Sequence, residues 1–324
     1  MPVTCRRLAI AFCLCAGLVV ALAGAILAVS GPYGLNTLLR LGGTSWVTVT
    51  PNDPRLSPSM RTALSNSPPT PVAGQHRWRD VAPGFEVTEM PVLAGGQEVD
   101  RLLLARVDPA QFRFEVRTAP AGNLDIGDWM ERTGAVLVIN GSYFGRDGSP
   151  NTPVVSNGAT LGPGKYTATH GAFVVKDGKT VAHDLRNDDW RSVLNGADQG
   201  MVSYPLLVDA AGSNRTKSNP RWLANRSFVA LDKSGRIVLG TTKEAFFSLE
   251  RLASFLNSAP LDLSTALNLD GGPLACQAID LSGYRREFCG QWETTTEDGD
   301  IKLLRPWFGN VRWGLPVVLS VVPK

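Results

Sequence analysis

The N-terminal segment constrains this chain more than any other feature, because it sets the compartment in which the rest must fold. Arg6 and Arg7 precede Leu8–Val29, an uncharged stretch of 22 residues. As a helix rising about 1.5 Å per residue, this stretch is long enough to cross a hydrocarbon core of about 30 Å. Because flanking positive charge stays in the cytoplasm, we expect the remainder of the chain on the extracytoplasmic (periplasmic) side.

The same segment is also compatible with removal after export. Ala28, Val29 and Ser30 offer small residues for cleavage, so residues 1–30 are either a retained membrane anchor or a signal peptide. The length of the apolar stretch favours the anchor, since apolar regions of signal peptides are usually shorter. The sequence therefore predicts a membrane-anchored domain, or a secreted one if the segment is cleaved.

If the chain is exported, the cysteines after the N-terminal segment lie in an oxidising compartment, where disulfides form. Cys276 and Cys289 are the only two beyond residue 30. A disulfide between them is predicted, stabilising the fold by on the order of 3 kcal/mol. The alternative is two separate buried thiols. No histidine lies near them in sequence, so a zinc site is not predicted.

Composition and charge narrow the class of protein. Hydrophobic residues make up 44% of the 324 residues and charged residues 19%, which is typical of a packed globular protein. The net charge of +3 is small and scattered, so nucleic-acid binding is not indicated. Residues 31–77 are rich in Pro and Ser and predict a linker, which leaves 78–324 as one domain. Abundant Gly and Pro favour many turns and a β-rich fold.

Apolar periodicity places several elements within this domain. The patterns predict a strand over 112–117, a helix ended by Gly134, a buried central strand over Ala135–Ile139, hairpins at 176–179 and 232–235, and a helix over Ser248–Asn257.

One of the apolar strands leads directly into a candidate site. The segment 266–269 contains Asn268 and continues into Asp270, Gly271 and Gly272. In an extended strand Asn268 and Asp270 project to the same face, because side chains alternate with a period of two. The two glycines lack Cβ atoms, so an anionic group could approach their N–H groups.

A second strand ends in similar residues. The segment 136–139 runs into Asn140, Gly141 and, shortly after, Tyr143. Ligand sites often gather at strand ends, although Asn-Gly and Asp-Gly are also ordinary turn signals. Arg226, just before an apolar strand, could offer a planar fork to a phosphate, or could be a solvated residue at a strand edge.

Other chemistries lack their motifs. The chain contains no Gly-x-Ser-x-Gly elbow, phosphate-binding loop or dinucleotide fingerprint, and its three histidines lack metal-like or triad-like spacing. The sequence predicts no cofactor and no metal site. It leaves the oligomeric state and a requirement for a divalent cation open.

The order of these segments resembles the phosphodiester glycosidase family. The matching elements are Ile139–Phe144, Ser203–Leu207, Asn225–Asp232, Ser248–Leu256 and the most specific, Ala266–Gly272. The resemblance implies an α+β fold, with a mixed β-sheet core and flanking helices in a single globular domain. It also implies an enzyme that hydrolyses a sugar-1-phosphodiester bond, here on an exported, envelope-associated glycan or glycoconjugate.

The resemblance and the residue patterns together define the candidate residues. Asp270 is the expected catalytic carboxylate, Arg226 the phosphate clamp and Asn268 a catalytic hydrogen-bond donor, while the expected substrate-binding residues are Asn140, Gly141, Tyr143, Gly271 and Gly272. One departure from the family pattern follows Gly272. Family members commonly have Gly or Pro and then a hydroxyl residue, whereas this chain continues with Pro273, Leu274 and Ala275.

Two other functions are compatible with the sequence. One is a non-catalytic module that binds an envelope glycan, and the other is a structural component of the envelope. For the binding module, sugar-stacking surfaces could come from the tryptophans at positions 190, 222, 292, 307 and 313.

Overall fold

Strands dominate the structure, a computed structural model that describes residues 3–30, 44–145, 147–168, 170–211, 213–214, 216–306 and 312–324. The helices are α1 (Val3–Ser30), α2 (Pro58–Leu64), α3 (Ile126–Thr133), α4 (Trp190–Leu194) and α5 (Leu249–Ser258), with a 3-10 turn at Gly272–Leu274. The strands are β1 (Thr44–Val49), β2 (Val72–Ala73), β3 (Arg79–Ala82), β4 (Phe85–Ala94), β5 (Gln97–Val107), β6 (Phe112–Thr118), β7 (Leu137–Asn140), β8 (Val154–Ser156), β9 (Ala159–Leu161), β10 (Gly171–Lys176), β11 (Lys179–Asp184), β12 (Gln199–Ser203), β13 (Leu206–Val208), β14 (Leu223–Ala224), β15 (Ser227–Asp232), β16 (Ile237–Thr242), β17 (Leu263–Asn268), β18 (Cys276–Leu281), β19 (Tyr284–Cys289), β20 (Glu293–Glu297), β21 (Asp300–Pro306) and β22 (Val317–Pro323).

The strands form four sheets. The largest has the order β13-β17-β15-β16-β5-β4-β2, with β3 added beside β4. Two five-stranded sheets have the orders β19-β18-β7-β22-β6 and β11-β10-β12-β8-β9, and a four-stranded sheet has the order β1-β21-β20-β14.

The largest sheet is covered on both faces, as the alternation of buried side chains along β5 demonstrates. Leu102 and Leu104 point into a core shared with α2 and α5. Leu103 and Ala105 point to the opposite core, which contains side chains from both five-stranded sheets. Both faces of a strand are apolar where both are buried, so residues 102–105 of β5 form a continuous apolar run.

The expected mixed sheet is wrong, because every strand pairing among the described residues is antiparallel. Tight turns such as Asp177-Gly178, between β10 and β11, reverse the chain, whereas parallel neighbours need long crossovers. The coarser expectation is confirmed: one β-rich globular domain with helices packed on its sheets.

Several helices and strands confirm the predictions made from neighbouring residues in the sequence. Gly134 ends α3 in the left-handed conformation (φ 62°), and Ser248 caps α5 by accepting a hydrogen bond from the Arg251 N–H. The predicted hairpins are β10–β11 and β15–β16, and β7 lies between β18 and β22 as a buried central strand.

The linker prediction differs from the structure over residues 44–77, while residues 31–43 lie outside the described part. β1 pairs with β21, and α2 buries Met60 against the largest sheet. Leu56 and Met60 are 1% and 0% exposed. Their apolar spacing is obscured in sequence by the surrounding Pro and Ser residues, so the domain begins earlier than position 78.

The membrane-anchor prediction concerns α1. Within the part of the chain that the structure describes, no helix combines the length and apolarity needed to cross a membrane. The anchor therefore stays a prediction.

Candidate active site

The ends of β7 and β17 meet at the backbone of Asp270. The Asp270 N–H donates to the Gly141 carbonyl oxygen at 3.0 Å, and Asn140 Nδ2 donates to the Asp270 carbonyl oxygen at 2.8 Å. Gly141 has no room for a side chain, because a Cβ there would lie 2.6 Å from Val317 Cγ1. The two strand ends singled out in the sequence are thus joined in space.

Asn140 is 2% exposed and uses both ends of its amide within the protein. Besides holding Asp270, its Oδ1 accepts from the Cys276 N–H at 3.0 Å. Cys276 and Cys289 form the predicted disulfide between β18 and β19. In this arrangement Asn140 positions the chain on either side of the Asp-Gly-Gly turn.

Asn268, like Asn140, is buried and forms its hydrogen bonds within the protein. It is fully buried, and its Nδ2 donates to Tyr143 Oη at 2.8 Å and to the Tyr204 carbonyl oxygen at 3.2 Å. Tyr143 Oη donates in turn to the Tyr204 carbonyl oxygen at 2.8 Å, and the two tyrosine rings stack with centroids 4.3 Å apart. Asn268 therefore supports a pair of tyrosines that face the cavity.

A cavity of about 430 Å³ opens beside these residues. It combines carboxyl groups, one guanidinium and aromatic rings with an apolar patch. Its lining includes Tyr143, Phe144, Tyr204, Ser218, Asn219, Trp222, Arg226, Leu249, Asp270, Gly271, Pro273, Leu274, Glu293, Leu304 and Trp313. Pro273 and Leu274 make part of the wall apolar where hydroxyls are common in the resembling family.

The Asp270 carboxyl group has an unusual protonation equilibrium. Burial raises the pKa of Asp270 to about 7, against a hydrogen bond of 2.8 Å from the Gly271 N–H to Oδ1. The charge of Glu293 raises the same pKa further, whereas Arg226 lowers it. At neutral pH Asp270 is therefore present both as acid and as carboxylate, so it can accept or donate a proton.

Arg226 is 6% exposed and held by backbone carbonyl groups. Its Nε donates to the Phe247 carbonyl oxygen at 3.2 Å and its Nη2 to that of Trp222 at 3.0 Å. No carboxylate of the described residues lies within 4.0 Å of it, and burial lowers the pKa of Arg226. A buried cation without an ion-pair partner is suited to binding an anion.

Glu293, on β20, was not identified from the sequence. Burial raises the pKa of Glu293, against a hydrogen bond of 2.7 Å from Trp222 Nε1 to its Oε1. Gly272 makes room for this carboxylate, since its φ is +65° and a Cβ there would lie 2.5 Å from Glu293 Oε2. The pairing of β20 with β14 and β21 brings Glu293 to the cavity. Its position there depends on contacts between distant segments, and no motif in the neighbouring sequence indicates it.

The glycine N–H groups have other partners than the expected anion. The Gly271 N–H donates to Asp270 Oδ1, and the Gly272 N–H donates to the Asn225 carbonyl oxygen at 2.9 Å. The expectation of a free backbone anion site is therefore not met, because the turn satisfies these donors internally. What the glycines supply is close packing: a Cβ on Gly271 would lie 3.1 Å from the Asn225 carbonyl oxygen and 3.4 Å from Arg226 Nη1.

No metal-like cluster of three or more His, Cys, Asp or Glu side chains occurs among the described residues. The predictions on cofactors and cation dependence remain predictions.

The comparison with known proteins matches the part of the chain that contains most of these site residues. Residues 133–285 match the sequence model of the phosphodiester glycosidase family. This match confirms the predicted resemblance to the family over these residues, and it supports the predicted enzyme of the glycosidase (hydrolase) class. No curated protein sequence matches the chain.

Two solved structures are similar to this chain. One is the catalytic domain of the zebrafish N-acetylglucosamine-1-phosphodiester alpha-N-acetylglucosaminidase, auto-inhibited by its pro-peptide, at 15% identity over 87% of this chain and 88% of that one, with a TM-score of 0.49. The other is a hypothetical protein from Synechocystis, at 14% identity over 78% of this chain, with a TM-score of 0.48. The chain covers 64% of the length of the Synechocystis protein.

Proposed function

We propose that this chain, which carries a phosphodiester glycosidase domain, hydrolyses a sugar-1-phosphodiester bond on an exported, envelope-associated glycan or glycoconjugate. One observation carries the proposal. A single cavity combines two carboxyl groups of raised pKa, Asp270 and Glu293, with the buried guanidinium of Arg226, which has no ion-pair partner among the described residues. Paired carboxyl groups are typical of glycoside hydrolysis, and a guanidinium suits a phosphodiester.

The reaction breaks the bond between the anomeric carbon and a phosphodiester oxygen. Water supplies a hydroxyl group to the carbon and a proton to the products, and the phosphate leaves as a monoester. Because this phosphate is stable as an anion, it needs less protonation than an ordinary sugar leaving group. The site must therefore supply mainly a carboxylate and positive charge at the phosphate.

We assign these tasks to the charged residues of the cavity. Asp270, as carboxylate, attacks the anomeric carbon or activates water. Arg226 binds the phosphate, since its Nε and Nη2 are held by backbone carbonyl groups and its charge has no ion-pair partner among the described residues. Glu293 is the second carboxyl group, and its charge helps keep the pKa of Asp270 near neutrality.

The remaining predicted residues receive positioning roles in this proposal. Asn140 and Gly141 hold the backbone of Asp270, and Asn268 holds Tyr143 at the cavity wall. Gly271 and Gly272 allow the turn to pack against Arg226 and Glu293.

The location of the domain is also a proposal. We place it outside the cytoplasm, tethered through the N-terminal segment, or secreted if that segment is cleaved. Arg6 and Arg7 before an uncharged stretch support this orientation, as does the disulfide Cys276–Cys289. The exposed apolar side chains of α1, Phe12 (75%) and Leu14 (69%), support the tether.

The test is release of sugar by the full-length chain in detergent. Its substrates are the 1-phosphodiesters of glucose, N-acetylglucosamine and mannose, and its controls are the matching alkyl glycosides, which lack phosphate. We expect release from at least one phosphodiester, none from the glycosides, and none from Asp270→Asn. Binding of the phosphodiesters by a folded parent without any release would instead favour the glycan-binding function, which the apolar wall at Pro273 and Leu274 supports.

A further inference from the structure

Strongly exposed aromatic side chains of the described domain gather at one place. Outside α1, four large hydrophobic side chains are prominently exposed: Trp46 (43%), Val72 (56%), Tyr204 (38%) and Trp222 (42%). Of the three aromatic ones, Tyr204 and Trp222 line the cavity and Trp46 packs on Trp222. Exposed apolar surface concentrated beside a cavity that contains charged groups indicates ligand binding rather than chance exposure.

The two tryptophans are held in place by contacts within the protein. Trp222 donates through Nε1 to Glu293 Oε1 at 2.7 Å, and its carbonyl oxygen accepts from Arg226 Nη2 at 3.0 Å. Trp46 lies on β1 opposite Leu304 of β21, which itself lines the cavity. The rings of Trp46 and Trp222 are 6.4 Å apart at 86°, an edge-to-face pair. A surface ordered in advance loses little conformational entropy on binding.

The chemistry of this surface fits a sugar ring. A pyranose has a face of C–H groups that packs on an aromatic ring and a rim of hydroxyl groups that stays in water. The cavity, at about 430 Å³, is near the lower end of ligand pockets, so it has room for a sugar with its phosphate but not for a chain of sugars. A longer glycan must continue over the rim, where Trp46 and Trp222 lie.

We propose that Trp46 and Trp222 form a second sugar-binding subsite, which takes the pyranose next to the one in the cavity. The ligand is then an oligosaccharide or polysaccharide rather than a single sugar. This inference rests on the proposed function only in that the cavity binds a sugar, and it does not require hydrolysis.

The test measures binding by calorimetry, using the full-length chain carrying Asp270→Asn to prevent turnover. The probes are monosaccharides and tetrasaccharides of glucose, N-acetylglucosamine and mannose. We expect at least one tetrasaccharide to bind more tightly than its monosaccharide, and Trp46→Thr to weaken that tetrasaccharide about tenfold without affecting the monosaccharide. Threonine suits the strand, which already contains Thr48, so the fold is retained.

Two further variants make the result specific. Trp46→Phe keeps an aromatic ring and should retain most of the tetrasaccharide affinity, and Val72→Ala removes exposed apolar surface elsewhere and should change nothing. Equal affinity for monosaccharide and tetrasaccharide, no binding of any probe, or an unchanged tetrasaccharide affinity in Trp46→Thr would overturn the subsite. Trp46-dependent binding, together with no release of sugar by the parent chain from any of the phosphodiesters, would overturn the hydrolase and leave the subsite standing.

Discussion

The cavity and an ion-pair cluster on the largest sheet use the same types of charged residue in opposite ways. The ion-pair cluster consists of Glu86, Arg106, Asp232 and Arg236. Arg106 donates two hydrogen bonds to the Glu86 carboxylate, at 2.7 and 2.8 Å. Arg236 contacts Glu86 at 2.8 Å and Asp232 at 2.9 Å. In the cavity, by contrast, no described carboxylate reaches within 4.0 Å of Arg226.

The protonation equilibria differ accordingly. The hydrogen bonds of Arg106 lower the pKa of Glu86, whereas burial raises the pKa values of Asp270 and Glu293. Direct pairing stabilises the ionised carboxylate, and burial without a contacting cation destabilises it. The comparison teaches that the arrangement of charges, rather than their presence, separates a stabilising cluster from a reactive one.

The largest expected difference is in turnover. Asp270→Asn should lower kcat by about 10³-fold, because the amide cannot act as a nucleophile or accept a proton. Glu86→Gln should leave kcat within about twofold, since Glu86 lies outside the cavity. Steady-state assays on the phosphodiester that the parent cleaves measure both. Near-normal turnover by Asp270→Asn would show that the reactive carboxylate lies elsewhere.

Replacing Arg226 in the cavity should lower activity more than replacing Arg236 in the ion-pair cluster. Arg226→Lys keeps the charge but loses the planar fork and the bonds that orient it, so kcat/KM should fall by about 100-fold. Arg236→Lys, in the ion-pair cluster, should leave kcat/KM unchanged. If both replacements had equal effects on kcat/KM, Arg226 would have no special role at the phosphate.

Replacing Asp270 and replacing Glu86 should change the free energy of unfolding in opposite directions. The pKa of Asp270 is about 7 in the folded chain and about 3.9 when unfolded, so its ionisation destabilises the fold as pH rises from 4 to 7. Asp270→Asn should therefore raise the free energy of unfolding by up to about 4 kcal/mol at pH 8, and by less at pH 4.

Glu86 has a lowered pKa, so its carboxylate stabilises the fold above the unfolded pKa of about 4.3, and this contribution is lost as pH falls. Glu86→Gln should lower the free energy of unfolding by roughly 1 kcal/mol at pH 8. Urea titrations at the two pH values test both variants. A loss of stability in Asp270→Asn at pH 8 would contradict the raised pKa of Asp270.

The smallest effect concerns pH dependence. Glu293→Gln removes a negative charge that raises the pKa of Asp270, so Asp270 should ionise at lower pH. The rising limb of kcat/KM should shift downward from about pH 7 by roughly half a unit to one unit. Glu293→Asp keeps the charge and serves as the control. An unshifted limb in Glu293→Gln would mean that the two carboxyl groups are not coupled.

Part of the site could be predicted from the sequence. The alternation of side chains and the turn signals identified the segments of Asn140 and Asp270, and the structure joins them. The same patterns do not show which distant residues a side chain contacts. The hydrogen-bond partners of Asn140 and Asn268 within the protein were therefore not predicted. Glu293 has no local signal, because it reaches the cavity only through pairing between β20 and its neighbours.

By itself, the sequence determined the features that depend on neighbouring residues: the hairpins, the capped helices, the buried strand β7 and the disulfide of the β18–β19 hairpin. Local backbone preferences and side-chain periods are enough for these. Only the tertiary structure decided that the pairings of the described strands are all antiparallel and that β1 and α2 join the domain. It also brought Arg226 and Glu293 to one cavity and placed Trp46 against Trp222 of the cavity wall. Such contacts join residues far apart in the chain, and they follow from packing four sheets together.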